Sequence, residues 1–350
     1  MPKRSTFFHH LHPVTIPARE SRFRYTFGLG GLSVFLFVVL ALTGALELFY
    51  YSPSVDAANK SVQTITFLVP YGWLIRGLHY WSAQALVVSV SLHLLRVTFT
   101  GAYKTPRRFN WLLGVILLAA VLLLDFSGYA LKWDSDIVWA LLVGTNLVKS
   151  IPVIGSALYG MVVGGQEIGP DTVVRFYSWH IFGLALIAFC FITWHIFRVR
   201  RDGGISSEPA RSNHLPAVDA LDRPARISRN KLVQREALAM LIATIVLLAL
   251  TLFFPPAIGA QGNFAQPPVE ATAPWFFMWV QQLLRWGDPL VMGVLVPIGL
   301  LILLALVPYV IDRSQTGVAR WFNREGRCAQ VLVLIVVVLL VSLTIAGVLQ

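Results

Sequence analysis

The chain has 350 residues and a formal net charge of +11, yet only 13% of its residues are charged and 56% are hydrophobic. Soluble domains carry about 25% charged residues, so this composition and a mean hydropathy of +0.69 exclude a string of soluble domains and indicate one polytopic membrane bundle. The basic balance calls for no nucleic acid, because Lys and Arg collect on the cytoplasmic side of membrane proteins.

The N-terminal stretch MPKRSTFFHHLHPVTIPARE has no apolar core near its start, so no cleavable signal peptide is expected. Seven apolar runs then reach the length needed to cross about 30 Å of hydrocarbon. They cover roughly 27–50, 76–99, 111–131, 172–199, 235–254, 288–311 and 328–349. Residues 132–171, between the third and fourth runs, mix apolar and polar character. Within them 136–148 (DIVWALLVGTNLV) and 155–163 are expected as short interfacial helices. Residues 200–232 are polar and hold several prolines, which marks an extramembrane linker. The expected architecture is all-α: a four-helix unit over 1–200, a linker over 201–233 and a three-helix unit over 234–350. The two cysteines, Cys190 in mid-span and Cys328 beside a basic loop, form no disulfide in this arrangement. The absence of CxxCH excludes covalent c-type haem by that motif.

With the N-terminus inside, 22 of the 28 lysines and arginines fall at inner segments. The other six are Lys60, Arg76, Lys132, Lys149, Arg175 and Arg285. That split predicts a cytoplasmic N-terminus, an outer C-terminus and residence in the cell's inner (cytoplasmic) membrane.

The second span carries His79 and His93; the fourth carries His180 and His195. Fourteen helical residues rise about 21 Å and leave two side chains about 40° apart; fifteen rise about 22 Å and leave them about 60° apart. Each helix thus presents one imidazole near each membrane surface, on nearly one face. Both spans run from outside to inside, so His79 meets His180 at the outer level and His93 meets His195 at the inner. A lone histidine in a span is ordinarily a hydrogen-bonded core or pathway residue. Four that match in depth as two pairs fit bis-imidazole ligation of two porphyrin irons. Gly30 and Gly44 in the first span, and Gly114 and Gly128 in the third, repeat the fourteen-residue period. Small residues also serve ordinary helix packing, but the shared period points to a flat macrocycle close to the backbone.

These residues bring a resemblance with them. FGLGGLS, FYYSP, YGWLIRGLHYWSA, LHLLRVTFTGAYK, SGYALKWDSDIVWA, IPVIGS and RFYSWHIFGLAL are similar to cytochrome b of the quinol:cytochrome c (or plastocyanin) oxidoreductases. The chain most resembles the chloroplast type with subunit IV fused behind it, and weaker similarity continues through APWFFMWVQQLLR. The resemblance implies two non-covalent b-type haems: a low-potential outer one on His79 and His180, and a high-potential inner one on His93 and His195. It implies propionate partners in Arg76, Arg175 and Arg96, and an outer quinol site containing Tyr129, Trp133, Trp275 and Phe276. It implies bifurcated quinol oxidation, with one electron passing to a Rieske iron–sulfur protein and a c-type cytochrome or similar acceptor. The other crosses both haems to an inner quinone site, where Arg200 is the best candidate. A homodimer within a larger complex is also implied.

Three departures stand out. Chloroplast-type relatives attach an extra haem through a cysteine before Leu-Gly-Gly; here that position is Gly28, so no thioether forms and a third haem is doubtful. The outer tetrad Pro-Glu-Trp-Tyr reads Ala273-Pro274-Trp275-Phe276, which removes a proton-accepting carboxylate and a phenol. Glu270, Asp125 and Glu47 are the candidate substitutes. Finally, Lys132-Trp133-Asp134 brings a lysine to the edge of the outer site. The leading expectation is a di-haem subunit of a proton-translocating quinol oxidoreductase. The alternative is a di-haem anchor linking the quinone pool to another dehydrogenase or reductase without a Rieske partner. A transporter using intramembrane histidines is the third class.

Overall fold

The computed structural model describes residues 15–18, 22–206, 226–263 and 272–349. It is almost wholly helical. Inside a bilayer only a helix satisfies each backbone N–H and C=O within its own segment. Among the described residues, seven helices are long and apolar enough to span: α1 (Leu29–Glu47), α3 (Gly72–Phe99), α4 (Arg108–Ala130), α7 (Pro170–Arg201), α8 (Asn230–Phe253), α10 (Val291–Ile311) and α11 (Arg324–Val348). Among the described residues, four short α-helices lie between them: α2 (Ala58–Phe67), α5 (Ser135–Lys149), α6 (Gly155–Val163) and α9 (Met278–Leu284). The spans and the two interfacial helices after α4 agree with the hydropathy reading to within a few residues; α2 and α9 were not foreseen.

Local chemistry sets the helix starts. The Asp134 carboxylate accepts from the Ile137 N–H (3.2 Å) and caps α5. Pro170 opens α7, and the Thr172 hydroxyl accepts from the Gly169 N–H (3.0 Å). Within α7, residues Trp179–Leu184 form a π turn. A two-stranded antiparallel sheet pairs β1 (Thr15–Pro17) with β2 (Arg226–Ser228). It holds the segment before α1 beside the start of α8, so both lie at one end of the bundle.

Helix α3 is the centre: it packs along α1, α4 and α8, while α4 packs on α7. The core falls into layers. Leu36, Leu86, Val87, Val121, Leu247 and Phe276 form the middle one. Trp133, Ile137, Leu141, Val173 and Phe176 form a second beneath α5. Trp111, Leu304, Val307, Ala329 and Val333 join α4 to α10 and α11 at the opposite end. There the Trp111 indole donates to the Leu304 carbonyl (2.7 Å). The faces turned away from these layers carry exposed Leu, Ile and Val, as on α11 at Leu334, Val338 and Ile345, which suits contact with lipid tails.

Candidate haem centres and the outer loop

His79 and His180 face each other with ring centroids 6.3 Å apart. Both Nδ1 atoms are engaged. Thr43 Oγ1 gives its proton to the Val39 carbonyl (2.7 Å), so toward His79 Nδ1 at 2.9 Å it accepts. His180 Nδ1 reaches the Leu124 carbonyl (3.0 Å) and Ser127 Oγ (3.0 Å). A carbonyl only accepts, so Nδ1 carries the proton in both rings and each Nε2 keeps a lone pair for a metal. At the other end His195 lies within electrostatic reach of His93. Here His195 leans on the Asn110 backbone, and His93 Nδ1 is buried without a hydrogen-bond partner.

The four glycines stand against the four imidazoles. A Cβ added at Gly44 would lie 3.0 Å from His79 Cε1, and one at Gly128 2.9 Å from His180 Cε1. At Gly30 the distance to His93 Cε1 is 3.3 Å, and at Gly114 to His195 Cε1 it is 3.5 Å. The fourteen-residue glycine period therefore makes room for the ligand rings. The π turn explains the unequal histidine spacing. It contains His180 and inserts one residue into α7, so fifteen residues there do the work of fourteen in α3.

These residues fit a haem. Among the described residues no three His, Cys, Asp or Glu converge, so a metal held by two imidazoles needs its other ligands from a macrocycle. With a metal–imidazole bond of about 2 Å, as for zinc, and about 1 Å from ring centre to nitrogen, two axial rings stand about 6 Å apart. The outer pair has that separation.

The arginines are placed less uniformly. Arg76 is buried and donates to the Pro256 (2.9 Å) and Ala257 (3.2 Å) carbonyls, with Glu47 and Asp134 in electrostatic reach. Arg96 donates to the Tyr25 carbonyl (3.0 Å) and stacks over the Tyr25 ring. Arg175 is exposed beside Gly164. Arg200 is half-buried in the last turn of α7, where Asp202 pairs with its neighbours Arg198 and Arg201. At Gly28, φ is +67° and an added Cβ would meet nothing within 4 Å.

The outer-site residues divide. Trp133 is a core residue, 1% exposed, whose carbonyl accepts from the Gly262 N–H (2.9 Å). Its neighbours hold the same strap: Asp134 binds Lys132 (2.8 Å) and the Gly259 N–H (3.2 Å). Tyr129, Trp275 and Phe276 do come together, with Tyr129 and Trp275 rings each within 6 Å of Phe276. Asp125 joins them through Gln84, which lies beside its carboxyl and accepts from the Trp275 indole (2.5 Å). The Tyr129 hydroxyl donates to Tyr80 (3.3 Å). Glu270 lies outside the described residues. Gln84 and Tyr80 were missed; the signal was a long polar amide inside the apolar run between His79 and His93.

Seven apolar spans around paired imidazoles define a membrane electron-transfer protein of the haem-binding class. The family model for cytochrome b/b6/petB matches residues 15–203, and that for cytochrome b(C-terminal)/b6/petD matches 261–350. The chain belongs to the cytochrome b/b6 family, with both parts fused. Cytochrome b6 of Heliomicrobium gestii is 41% identical over 177 residues, which covers 51% of this chain and 83% of that protein. Cytochrome b6 of Synechococcus sp. (strain JA-3-3Ab) is 39% identical over 175 residues, covering 50% and 81%. A chain of a solved hyperthermophilic respiratory Complex III superposes with a TM-score of 0.78 over 93% of this chain and 84% of that one, at 24% identity, a likeness of fold. The protein is thus a multi-pass, haem b-binding electron-transfer subunit of a quinol:acceptor oxidoreductase.

Proposed function

We propose that the chain holds two b haems, one on His79 and His180 and one on His93 and His195, and serves bifurcated quinol oxidation. Bound there, haem b supplies two one-electron stations at different depths of the membrane. The chain's own residues ligate, orient and exclude water. Thr43, Ser127 and the Leu124 carbonyl fix the tautomer of the outer ligands. Tyr129, Trp275 and Phe276, with Asp125 or Glu270 as proton acceptor, bind quinol at the outer face. Arg200 serves the inner quinone site, and Arg76, Arg96 and Arg175 the haem propionates. The electron partners are a Rieske iron–sulfur protein and a c-type cytochrome or similar acceptor, within a homodimeric complex. The N-terminus is cytoplasmic and the C-terminus outside. Residues 1–200 form the haem unit, 201–233 the linker and 234–350 the subunit IV-like unit.

The observation that carries this reading is the opposed His79–His180 pair at 6.3 Å with both Nδ1 atoms engaged. In the purified complex, His79→Ala and His180→Ala should each abolish the same b-type absorption component and spare the other. Loss of that component from His93→Ala would sink the pairing. A second reading, a di-haem anchor without a Rieske partner, is favoured by Ala273 and Pro274 in place of the tetrad's first two residues. Co-purification of a protein with a Rieske-type electron paramagnetic resonance signal decides against it.

A further inference from the structure

An ionisable side chain inside a span is costly unless it has a use. Asp125 on α4 and Gln84 on α3 are 7% and 8% exposed, and they lie side by side. Each keeps one buried polar atom without a partner: Asp125 Oδ2 and Gln84 Nε2. The direction of the glutamine amide is fixed. An indole N–H only donates, so the oxygen of Gln84 faces Trp275 at 2.5 Å and its NH2 faces elsewhere. The amide therefore turns its NH2 toward the Asp125 carboxyl, but the approach leaves Oδ2 and Nε2 unsatisfied. Such a pair is too costly to keep as packing alone. A single hydroxyl satisfies both, because its O–H donates to Oδ2 while its oxygen accepts from Nε2. Aromatic rings lead away from the pair: Trp275 bonds Gln84, and Phe276, Tyr129 and Tyr80 follow it through ring contacts at 5.7 to 6.1 Å. Flat apolar walls with a few placed polar groups are the make-up of a site for an aromatic ligand.

We propose that Asp125 accepts the proton of a quinol hydroxyl held between Oδ2 and Gln84 Nε2, in place of the carboxylate missing from Ala273-Pro274-Trp275-Phe276. The assignment rests on the quinol oxidation proposed above and names the group that carries it. The step is a proton transfer: the quinol O–H bond breaks, an O–H bond forms on Oδ2, and the quinolate remains. Gln84 is a positioning residue for both the ligand and Trp275.

The test uses the complex purified from membranes with its haems, and ubiquinol and menaquinol analogues as probes. Infrared difference spectra between quinol-bound and quinone-bound states should show a carboxylic C=O band. Asp125→Asn should delete the band and lower turnover about 100-fold or more with haem spectra intact, and Asp125→Glu should restore part of both. Gln84→Met should raise KM more than it lowers kcat; it also reports on the site should Asp125→Asn not assemble. A band and turnover unchanged in Asp125→Asn would overturn the assignment alone, as would loss of the band in Glu270→Gln only. A wild-type complex that keeps its haems and oxidises no quinol would overturn the functional reading and this step with it.

Discussion

The two ends of the bundle solve one problem differently. At the outer end, polar contacts hold the ligands: Thr43, Ser127 and the Leu124 carbonyl engage both Nδ1 atoms, and Gly44 and Gly128 fit the rings closely. At the inner end, His93 Nδ1 has no partner, His195 leans on the Asn110 backbone and the glycine fits are looser. A further set of polar contacts there joins two loops. Lys104, fully buried, pairs with Asp312 (3.2 Å) and donates to Ser314 (2.8 Å) and the Thr316 carbonyl (2.8 Å). Tyr103 donates to the same carboxylate. These bonds tie the α3–α4 connection to the α10–α11 connection, and so the first family segment to the second. The outer site is shaped by its ligand shell, and the inner one by the seam between the chain's two parts.

The glycine series breaks or sharpens that contrast most directly. Gly128→Ala should remove outer haem almost completely, because its Cβ would come to 2.9 Å of the imidazole. Gly44→Ala should follow, Gly30→Ala should weaken inner haem modestly, and Gly114→Ala, at ordinary contact distance, should leave it near wild type. Haem content per chain and the reduced-minus-oxidised spectrum measure this; equal losses at both ends would refute the difference in fit.

Breaking the inner seam should cost stability and leave outer haem spectra alone. Lys104→Met strands a buried carboxylate, a change worth about 3–5 kcal/mol, readable as a lower melting temperature in detergent. The seam also carries a pH signature. Burial pushes the Asp312 carboxyl up, but the Ser314 and Tyr103 hydrogen bonds and the Lys104 ammonium outweigh it and hold it below the usual range. Its folded form therefore binds fewer protons than its unfolded form. The stabilisation is complete above the unfolded value of about 3.9 and is lost as pH falls through the lower folded value. In Lys104→Met the acid-side loss should be smaller and finish at a higher pH, since one of the groups that lowers the carboxyl's folded value is gone.

The smallest effect concerns the outer shell. Thr43→Val keeps the shape and removes the partner of His79 Nδ1. Outer haem affinity should fall about 10-fold, and the outer midpoint potential should rise as the imidazole becomes less basic. A redox titration in which the inner component moves instead would show that the shell does not act locally.

Much of this was legible in the sequence because a bilayer constrains it heavily. Seven spans follow from the length of apolar run needed to cross hydrocarbon, and the depth matching of the histidines follows from helical rise. Other features leave no such trace. Helix α2 reads ANKSVQTITF, polar enough to pass for a loop, because its apolar side packs on α3 and not on lipid. The resemblance puts Trp133 at the outer site through its motif, and a motif does not reveal that the side chain is buried against Ile137, Leu141 and Val173. Gln84 was passed over as one polar residue among small ones; only the fold brings it between Asp125 and Trp275. A π turn leaves apolar periodicity almost unchanged, and so the reason for the unequal spacing of fourteen and fifteen lies in the backbone and not in the pattern of side chains.

That turn makes α7 a vernier against α3. Two rods carry the same two marks, but one counts an extra division between them, and the surplus is taken up beside the outer mark. The two ligand helices are therefore not interchangeable. A residue removed from α3 between its histidines has nowhere to be absorbed. In α7 the π turn already holds the slack, so a deletion inside it, between His180 and His195, converts the helix to uniform pitch at fourteen residues and leaves His180 facing His79.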